Sequence, residues 1–335
     1  MLQNYSPISI AISTKDRRND LNRLLDSLGN LDYPKDMMEI VVVEEGDSPD
    51  PIEGVKYIFI PRPGKGYAYS RNLAVKHCSH DLIAFVDDDC IVTPSWLKNL
   101  IYCMDAETSG VTGGVRVKGC GAIGYCENVL GFPAGGLRKI HNSNDTVQPT
   151  RELVTCNSLI RKKAILDVGG FDETDTTRFG GEDSLLSFNM IKRDFKLVYS
   201  PKAIIFHKTK DNLKDIFFWA IRMGKSRFFF NKYTGKTESI SNRIRHSTIL
   251  KVLLFFLGLV IFHRYMFIYI ALVLFLYWLK TIYPYRSYRQ YLDRYFIVII
   301  ILPIVKFIFD IGLDYGYFTA SIFSFRTRYT VRKPL

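Results

Sequence analysis

The stretch from Asp81 to Cys90, DLIAFVDDDC, constrains this chain most. Leu82 to Val86 is wholly apolar and partly β-branched or aromatic, which suits a short buried strand, and it stops abruptly on Asp87, Asp88 and Asp89. Three carboxylates at one strand end repel one another and raise one another's pKa values unless a positive partner stabilises them. An all-oxygen ligand set favours Mg2+ or Mn2+, and Mg2+ commonly takes one or two carboxylates together with substrate phosphates. A nucleotide-diphosphate site is one expectation and a solvated acidic turn is the other; this stretch alone does not separate them.

At 335 residues the chain can hold one large domain and an appendage. Its net charge of +12 is unevenly placed. Residues 1–206 carry 24 Lys and Arg against 27 Asp and Glu, a balance of −3, whereas residues 207–335 carry 21 against 6, a balance of +15. The longest apolar runs lie in that second part, so the positive charge reads as membrane flanking and argues against nucleic acid as a partner. The six cysteines (Cys78, Cys90, Cys103, Cys120, Cys126, Cys156) form no CxxC pair, which points to reduced thiols in a cytosolic setting and away from zinc. The opening MLQNYSPISIAIS lacks a basic region followed by a long apolar core, so no cleavable signal peptide is expected.

Ile8 to Ile12 is a short apolar strand candidate, and Leu21, Leu24, Leu25 and Leu28 then recur at helical spacing up to Gly29-Asn30. Ile40 to Val43 ends on Glu44-Glu45, and Tyr57 to Ile60 is a further strand candidate. In an open α/β sheet the carboxyl ends of parallel strands form the ligand crevice, so Ser13 to Asp16, Glu44-Glu45 and Asp87 to Asp89 could line one site. Gly64 to Tyr67, followed by Ser70 to Ala74, reads as a loop entering a helix whose start, with Lys65 and Arg71, could hold a phosphate. The P-loop spacing is absent, and taken alone these are ordinary surface charges.

These blocks resemble a family 2 glycosyltransferase with the GT-A nucleotide-sugar-binding fold. The residues that carry the likeness are SIAISTKDR (9–17), EIVVVEEGDS (39–48), GKGYAYSRNLAV (64–75) and AFVDDDC (84–90), in the family's order and spacing. CNSLIRKKAILDVGGFDE (156–173) and GGEDSLLSFNMIKRDFKLVYSPKAIIFH (180–207) resemble its acceptor-side half, so the likeness covers about residues 6–230.

The resemblance implies an α/β fold: a GT-A type, Rossmann-like domain with a mostly parallel central sheet over residues 1–230, followed by C-terminal hydrophobic helices over 231–335. It places Ser13 and Glu45 at the nucleotide base, Asp87 to Asp89 at the ribose and metal-bridged diphosphate, Asp183 as general base and His207 beside the metal. The donor-binding set then comprises Ser13, Thr14, Asp16, Arg17, Glu44, Glu45, Lys65, Arg71, Asp87 and Asp88; the metal set comprises Asp87, Asp89 and His207, holding Mn2+ or Mg2+. Glu182 accompanies Asp183. Two departures stand out: Lys15 replaces the usual aromatic, and Glu44-Glu45 replaces the usual Asp pair.

Independently of the resemblance, Gly180-Gly181 precede Glu182-Asp183, and Leu185, Leu186 and Met190 follow with helical character. Both carboxylates then fall in a first helical turn, where the dipole favours the ionised form a base needs; ordinary N-terminal helix charge reads the same way. Residues 115–155, with many glycines and the polar run His141 to Gln148, are expected to form a mobile acceptor loop.

Val252 to Phe262 and Tyr265 to Leu279 are almost wholly apolar, interrupted by His263-Arg264. Neither reaches the roughly 20 residues a span needs, so a hairpin of short helices over about 249–280 and one bent helix both fit. Arg243, Arg245 and Lys251 before the pair, and Lys280, Arg286 and Arg289 after it, favour the hairpin with both ends on the cytoplasmic face. Phe296 to Val305, broken by Pro303, reads as part of a third apolar helix within about 295–322, interfacial or re-entrant, or else a short span.

The leading expectation is a membrane-bound inverting glycosyltransferase with its catalytic domain in the cytoplasm. It would move a sugar from a nucleotide-diphosphate donor to a hydroxyl of a lipid-linked oligosaccharide or polysaccharide. The rivals are a polyprenyl-phosphate sugar transferase and a degenerate sugar-binding scaffold.

Overall fold

The structure, a computed structural model, describes residues 5–174, 177, 179–236, 247–292 and 295–326, with only the backbone of 323–326. They form two compact units: Met1–Lys118 with Gly131–Lys208, and Gly119–Leu130 with Thr209–Leu335.

The first unit is built on one nine-stranded sheet. Its strands are β1 (Ile8–Lys15), β2 (Met38–Gly46), β3 (Lys56–Pro61), β4 (Leu82–Val86), β5 (Cys90–Val92), β6 (Thr108–Arg116), β7 (Gln148–Pro149), β8 (Asn157–Arg161) and β9 (Lys196–His207). The order is β3-β2-β1-β4-β8-β6-β9-β5, with β7 on β9. β1, β2, β3, β4, β6 and β9 run one way, and β5, β7 and β8 run against them. The sheet is therefore mixed but mostly parallel.

Helices cover both faces, as the strand patterns require. Ile8, Ile10 and Ile12 of β1 point to one face, where Leu21, Leu24 and Leu28 of α1 (Arg18–Gly29) and Trp96, Leu97 and Leu100 of α3 (Trp96–Ile101) bury them. Ala11, Val41, Val43, Ile83 and Phe85 point to the other. There they meet α2 (Tyr67–His77), α6 (Lys162–Asp167) and α7 (Glu182–Lys192). Each fully buried Leu or Ile contributes roughly 1.5–3 kcal/mol, so the two-sided core fixes the register that aligns the strand ends.

Residues 115–155 are not one loop. They fold into α4 (Ala122–Val129), α5 (Gly136–Asn142) and the short β7. Gly119, Gly131, Gly135 and Gly136 take positive φ at the bends between these elements. Their number reflects tight corners, which composition does not distinguish from a loop.

The second unit holds α4, α8 (Leu213–Thr234) and three apolar helices, Thr248–Ile261, Met266–Ile282 and Tyr295–Arg326. The expected domain boundary after residue 230 falls inside α8, which belongs to this unit throughout. The first two apolar helices are joined by a single 3-10 turn at His263–Tyr265. The third apolar helix, expected within about 295–322, is Tyr295–Arg326, 32 residues in all, and it runs through Pro303 rather than breaking there. Arg243 and Arg245 lie outside the described residues. His263–Tyr291 and Tyr295–Ile322 are long and apolar enough to cross a membrane.

α8 packs along Tyr295–Arg326 through glycines. A Cβ on Gly316 would overlap the Ile221 carbonyl oxygen, and one on Gly224 would overlap that of Leu313. Close backbone approach of this kind is how small residues join helices where burial from water supplies little. Gly316→Val is expected to cost about 1–3 kcal/mol through overpacking. It should lower the melting temperature in detergent by several degrees, while Gly29→Ala, where a Cβ meets nothing, leaves it in place.

Candidate active site

The parallel register of β1 and β2 sets Thr14 beside Glu44 and Lys15 beside Glu45. β4 lies on the other side of β1 and ends at Val86, so Asp87 to Asp89 emerge at the same edge. Thr14 Oγ1 donates to Asp88 Oδ2 at 2.7 Å. Burial pushes the Asp88 carboxyl up to about 6, against the opposing effects of Thr14 and Arg17. Half-buried Ser13 precedes Thr14 at the end of β1.

Every carboxylate at this edge is already met by a cation or a donor. Lys15 Nζ lies 2.6 Å from Glu45 Oε1, which also accepts from the Gly64 backbone N–H at 3.1 Å. These bonds hold the Glu45 carboxyl below its usual range although burial works to raise it. Glu44 Oε2 accepts from Arg18 at 2.8 Å and from the Tyr57 hydroxyl at 2.7 Å. Arg62 pairs with Asp16, and Arg17 reaches both Asp88 (3.1 Å) and Asp89 (2.8 Å). Lys208 Nζ lies 3.0 Å from Asp20, and an open cleft of about 700 Å³ runs between these groups.

The two departures in sequence thus compensate each other, because Lys15 and the longer Glu45 form an ion pair across adjacent strands. Arg18, Asp20, Tyr57, Arg62 and Lys208 are site neighbours that sequence reasoning missed. The consecutive Arg17-Arg18 and the unpaired look of Glu44-Glu45 were the available signals.

On the other side of Asp87, Gly180 and Gly181 take φ of 96° and 95° and turn the chain into α7. Glu182 and Asp183 occupy its first turn. Buried Arg71, on α2, bonds Glu182 and reaches Asp87 at 3.2 Å. Arg71 is therefore an internal bridge rather than a surface charge. Lys65 stays exposed on its loop, with Nζ 4.7 Å from the Tyr69 ring centre.

Asp183 Oδ1 accepts from the Ser184 backbone at 2.7 Å. Burial, then the Glu182 charge, push the Asp183 carboxyl up to about 7, and Arg71 opposes them. Desolvation here outweighs the helix-start effect expected from the sequence. A carboxylate tuned near neutrality still suits proton abstraction.

His207 ends β9 and pairs in register with Cys90. Its Nδ1 lies 2.6 Å from the Lys208 carbonyl, which can only accept, so Nδ1 carries the proton. Nε2 lies 3.3 Å from Asp89 Oδ1. That oxygen is buried and accepts no hydrogen bond. Ligand atoms of Asp89, Cys90 and His207 lie within 4.8 Å of one another, close enough to share a cation. Burial keeps the Cys90 thiol protonated, leaving a carboxylate oxygen and an imidazole nitrogen as the ligand atoms, of which the carboxylate suits Mn2+ or Mg2+. Asp87 is turned toward Arg71 rather than into this group.

A mostly parallel, doubly wound sheet with acidic residues at the ends of β1, β2 and β4 is a GT-A-like fold. Residues 9–169 match the model of the family described as Glycosyl transferase family 2.

Over 226 residues the chain is 27% identical to the pre-mycofactocin glycosyltransferase of Mycobacterium tuberculosis (strain CDC 1551 / Oshkosh), covering 63% of this chain and 44% of that protein. It thus spans less than half the length of that relative. It is 25% identical over 232 residues to the succinoglycan biosynthesis protein ExoM of Rhizobium meliloti (strain 1021), covering 65% and 72% of the two chains. The mannosyltransferase PcManGT from Pyrobaculum calidifontis, solved with GDP-Man and Mn2+, superposes with a TM-score of 0.55 at 14% identity, covering 92% of this chain and 88% of that one. At that identity the likeness is one of fold.

Proposed function

We propose that this protein is a membrane-bound inverting glycosyltransferase. It transfers a hexose-type sugar from a nucleotide-diphosphate donor to a hydroxyl of a lipid-linked oligosaccharide or polysaccharide. The observation that carries this reading is the Arg71 bridge, which sets Glu182, and with it Asp183, beside the Asp87 to Asp89 carboxylates. A base and a diphosphate site are then neighbours, as a single displacement requires. Relatives named for glycosyl transfer and for succinoglycan biosynthesis, and a fold neighbour solved with GDP-Man and Mn2+, support the donor and metal classes.

Asp183 removes the proton from the acceptor hydroxyl as its oxygen attacks the anomeric carbon. The nucleotide diphosphate leaves from the opposite face, so the centre inverts and no covalent enzyme intermediate forms. Arg71 holds Glu182 and thereby orients the first turn of α7. Ser13, Thr14, Asp16, Glu44, Glu45 and Lys65 contact the nucleotide, and Arg17 and Asp88 lie toward its phosphates. Asp89 and His207 would hold Mn2+ or Mg2+, which would supply charge neutralisation for the departing diphosphate, while Asp87, expected as a third ligand, stays on Arg71.

The apolar helices hold the enzyme in the cell membrane beside a lipid-linked acceptor, with the catalytic unit on the cytoplasmic side, an orientation motivated by Lys280, Arg286 and Arg289. Cysteines placed at 264 and 287 in sealed vesicles should label from opposite sides; labelling of both from one side removes the spanning hairpin.

Turnover of a panel of UDP- and GDP-sugars with manganese, with the anomeric configuration of the product read by NMR, tests the reaction. A scaffold turns over none, and retention of configuration rules out the single displacement. Because the base must be ionised, transfer should rise with pH through about 7 and level off above it. A flat profile between pH 5.5 and 8.5 would remove Asp183 from the proton transfer.

A further inference from the structure

Arg17 occupies the place where the sequence leads one to expect a metal-bridged diphosphate. Its Nη1 bonds Asp88 Oδ1 at 3.1 Å and Asp89 Oδ2 at 2.8 Å, bridging two of the three strand-end carboxylates. The third, Asp87, is held by Arg71. Three negative charges therefore face two guanidinium groups before any ligand arrives.

The two arginines differ in freedom. The Arg71 side chain is only 9% exposed, whereas that of Arg17 is 45% exposed and borders the open cleft. The Arg17 backbone is pinned: its carbonyl accepts from Leu21 N at 2.9 Å as α1 begins. The preceding Asp16 takes φ of 56°, a left-handed conformation costing about 1 kcal/mol or more outside glycine. The Asp16–Arg62 pair holds that turn, which brings Arg17 back over the end of β4. A fixed Cα thus carries a long side chain that can swing within the cleft.

A divalent ion arriving alone must displace Arg17 or sit beside it, and both cost Coulomb energy at these distances. An ion arriving with a nucleotide diphosphate brings more negative than positive charge, and Arg17 can then turn to the phosphates, which its planar fork suits.

We propose that Arg17 is a built-in counter-charge that holds Asp88 and Asp89 in the empty enzyme and makes metal and nucleotide diphosphate bind together rather than singly. This rests on the metal reading of Asp89 and His207. It assigns Arg17 a positioning role distinct from that of a simple phosphate contact, because a phosphate contact has no reason to weaken binding of the metal alone. By linkage, whatever factor the nucleotide adds to metal affinity, the metal adds to nucleotide affinity.

The test measures Mn2+ binding to the full chain in detergent by the loss of the free-ion EPR signal, first alone and then with saturating UDP or GDP. Wild type should bind Mn2+ weakly alone and more tightly with nucleotide. Arg17→Gln should tighten binding of Mn2+ alone by about five- to tenfold, a screened, surface-level change, and shrink the gain from nucleotide by a similar factor. Arg17→Lys, which keeps the charge, should stay near wild type, and Arg17→Met serves in place of Arg17→Gln if the amide variant does not fold. Unchanged or weaker Mn2+ binding in the neutral variant overturns the inference while leaving the metal site standing. If neither protein binds Mn2+ with or without nucleotide, the metal reading falls and the inference falls with it.

Discussion

Asp183→Asn should lower sugar transfer by about 10² or more while leaving nucleotide binding near wild type. The amide keeps the size of the carboxylate and its bond from Ser184 N, but it cannot accept the acceptor's proton. Donor binding should survive because Asp183 is not among the groups that meet at the ends of β1, β2 and β4. Glu182→Gln should be milder for the proton transfer, yet it weakens the ion pair to Arg71 and so should raise KM for the acceptor as the first turn of α7 loosens. Transfer and nucleotide binding measured on one Asp183→Asn preparation give the decisive comparison. Transfer near the wild-type rate would mean that the acceptor is already anionic and needs no base, and a polyprenyl phosphate would then replace the hydroxyl acceptor.

Asp89→Ala should remove the manganese-dependent part of nucleotide-diphosphate binding, a loss of about 10- to 100-fold or more. Wild type treated with EDTA should lose the same part, and the variant should be insensitive to EDTA. Stability is expected to stay level or rise slightly. Asp89 Oδ1 accepts no hydrogen bond in the fold, and removing Asp89 ends its repulsion of Asp88, which then keeps Arg17 to itself. Calorimetry with UDP or GDP, paired with thermal melting of the same samples, separates a ligand role from a structural one. A variant that melts much lower and still binds nucleotide in a metal-dependent way would remove Asp89 from the metal site.

Both predictions depend on how six short segments converge, and the sequence prepared only part of that convergence. The strand over Leu82–Val86 was legible to the residue, because five buried apolar positions end on three carboxylates that no core could accept. α7 was legible at its start, because two glycines at positive φ and two acids leave few alternatives. The alternating burial of Ile8, Ile10 and Ile12 against Ala11 was likewise implicit in the pattern of β1. In each case the relevant physics acts over neighbours in sequence.

The charges were not legible in the same way. Lys15 read as an aromatic lost from a base-stacking position, and the structure returns it as half of a cross-strand pair with Glu45, 30 residues away. Arg71 read as surface charge, and it became a buried bridge to Glu182 across 111 residues of chain. The glycines of 115–155 read as mobility and turned out to be corners between α4, α5 and β7. Gly224, Gly312 and Gly316 carried no signal at all until two helices were seen to touch through them.

What the sequence determined by itself was therefore local: which runs are strands, where helices start, and that acids stand at strand ends. Burial patterns and turn chemistry operate within a few residues, so one chain read in order displays them. What the tertiary structure decided was which charge meets which. Ion pairing depends on distances of a few ångströms between residues such as Lys15 and Glu45, 30 apart, or Arg17 and Asp88, 71 apart, and those distances exist only once the strand order β2-β1-β4 brings the ends of three strands to one edge.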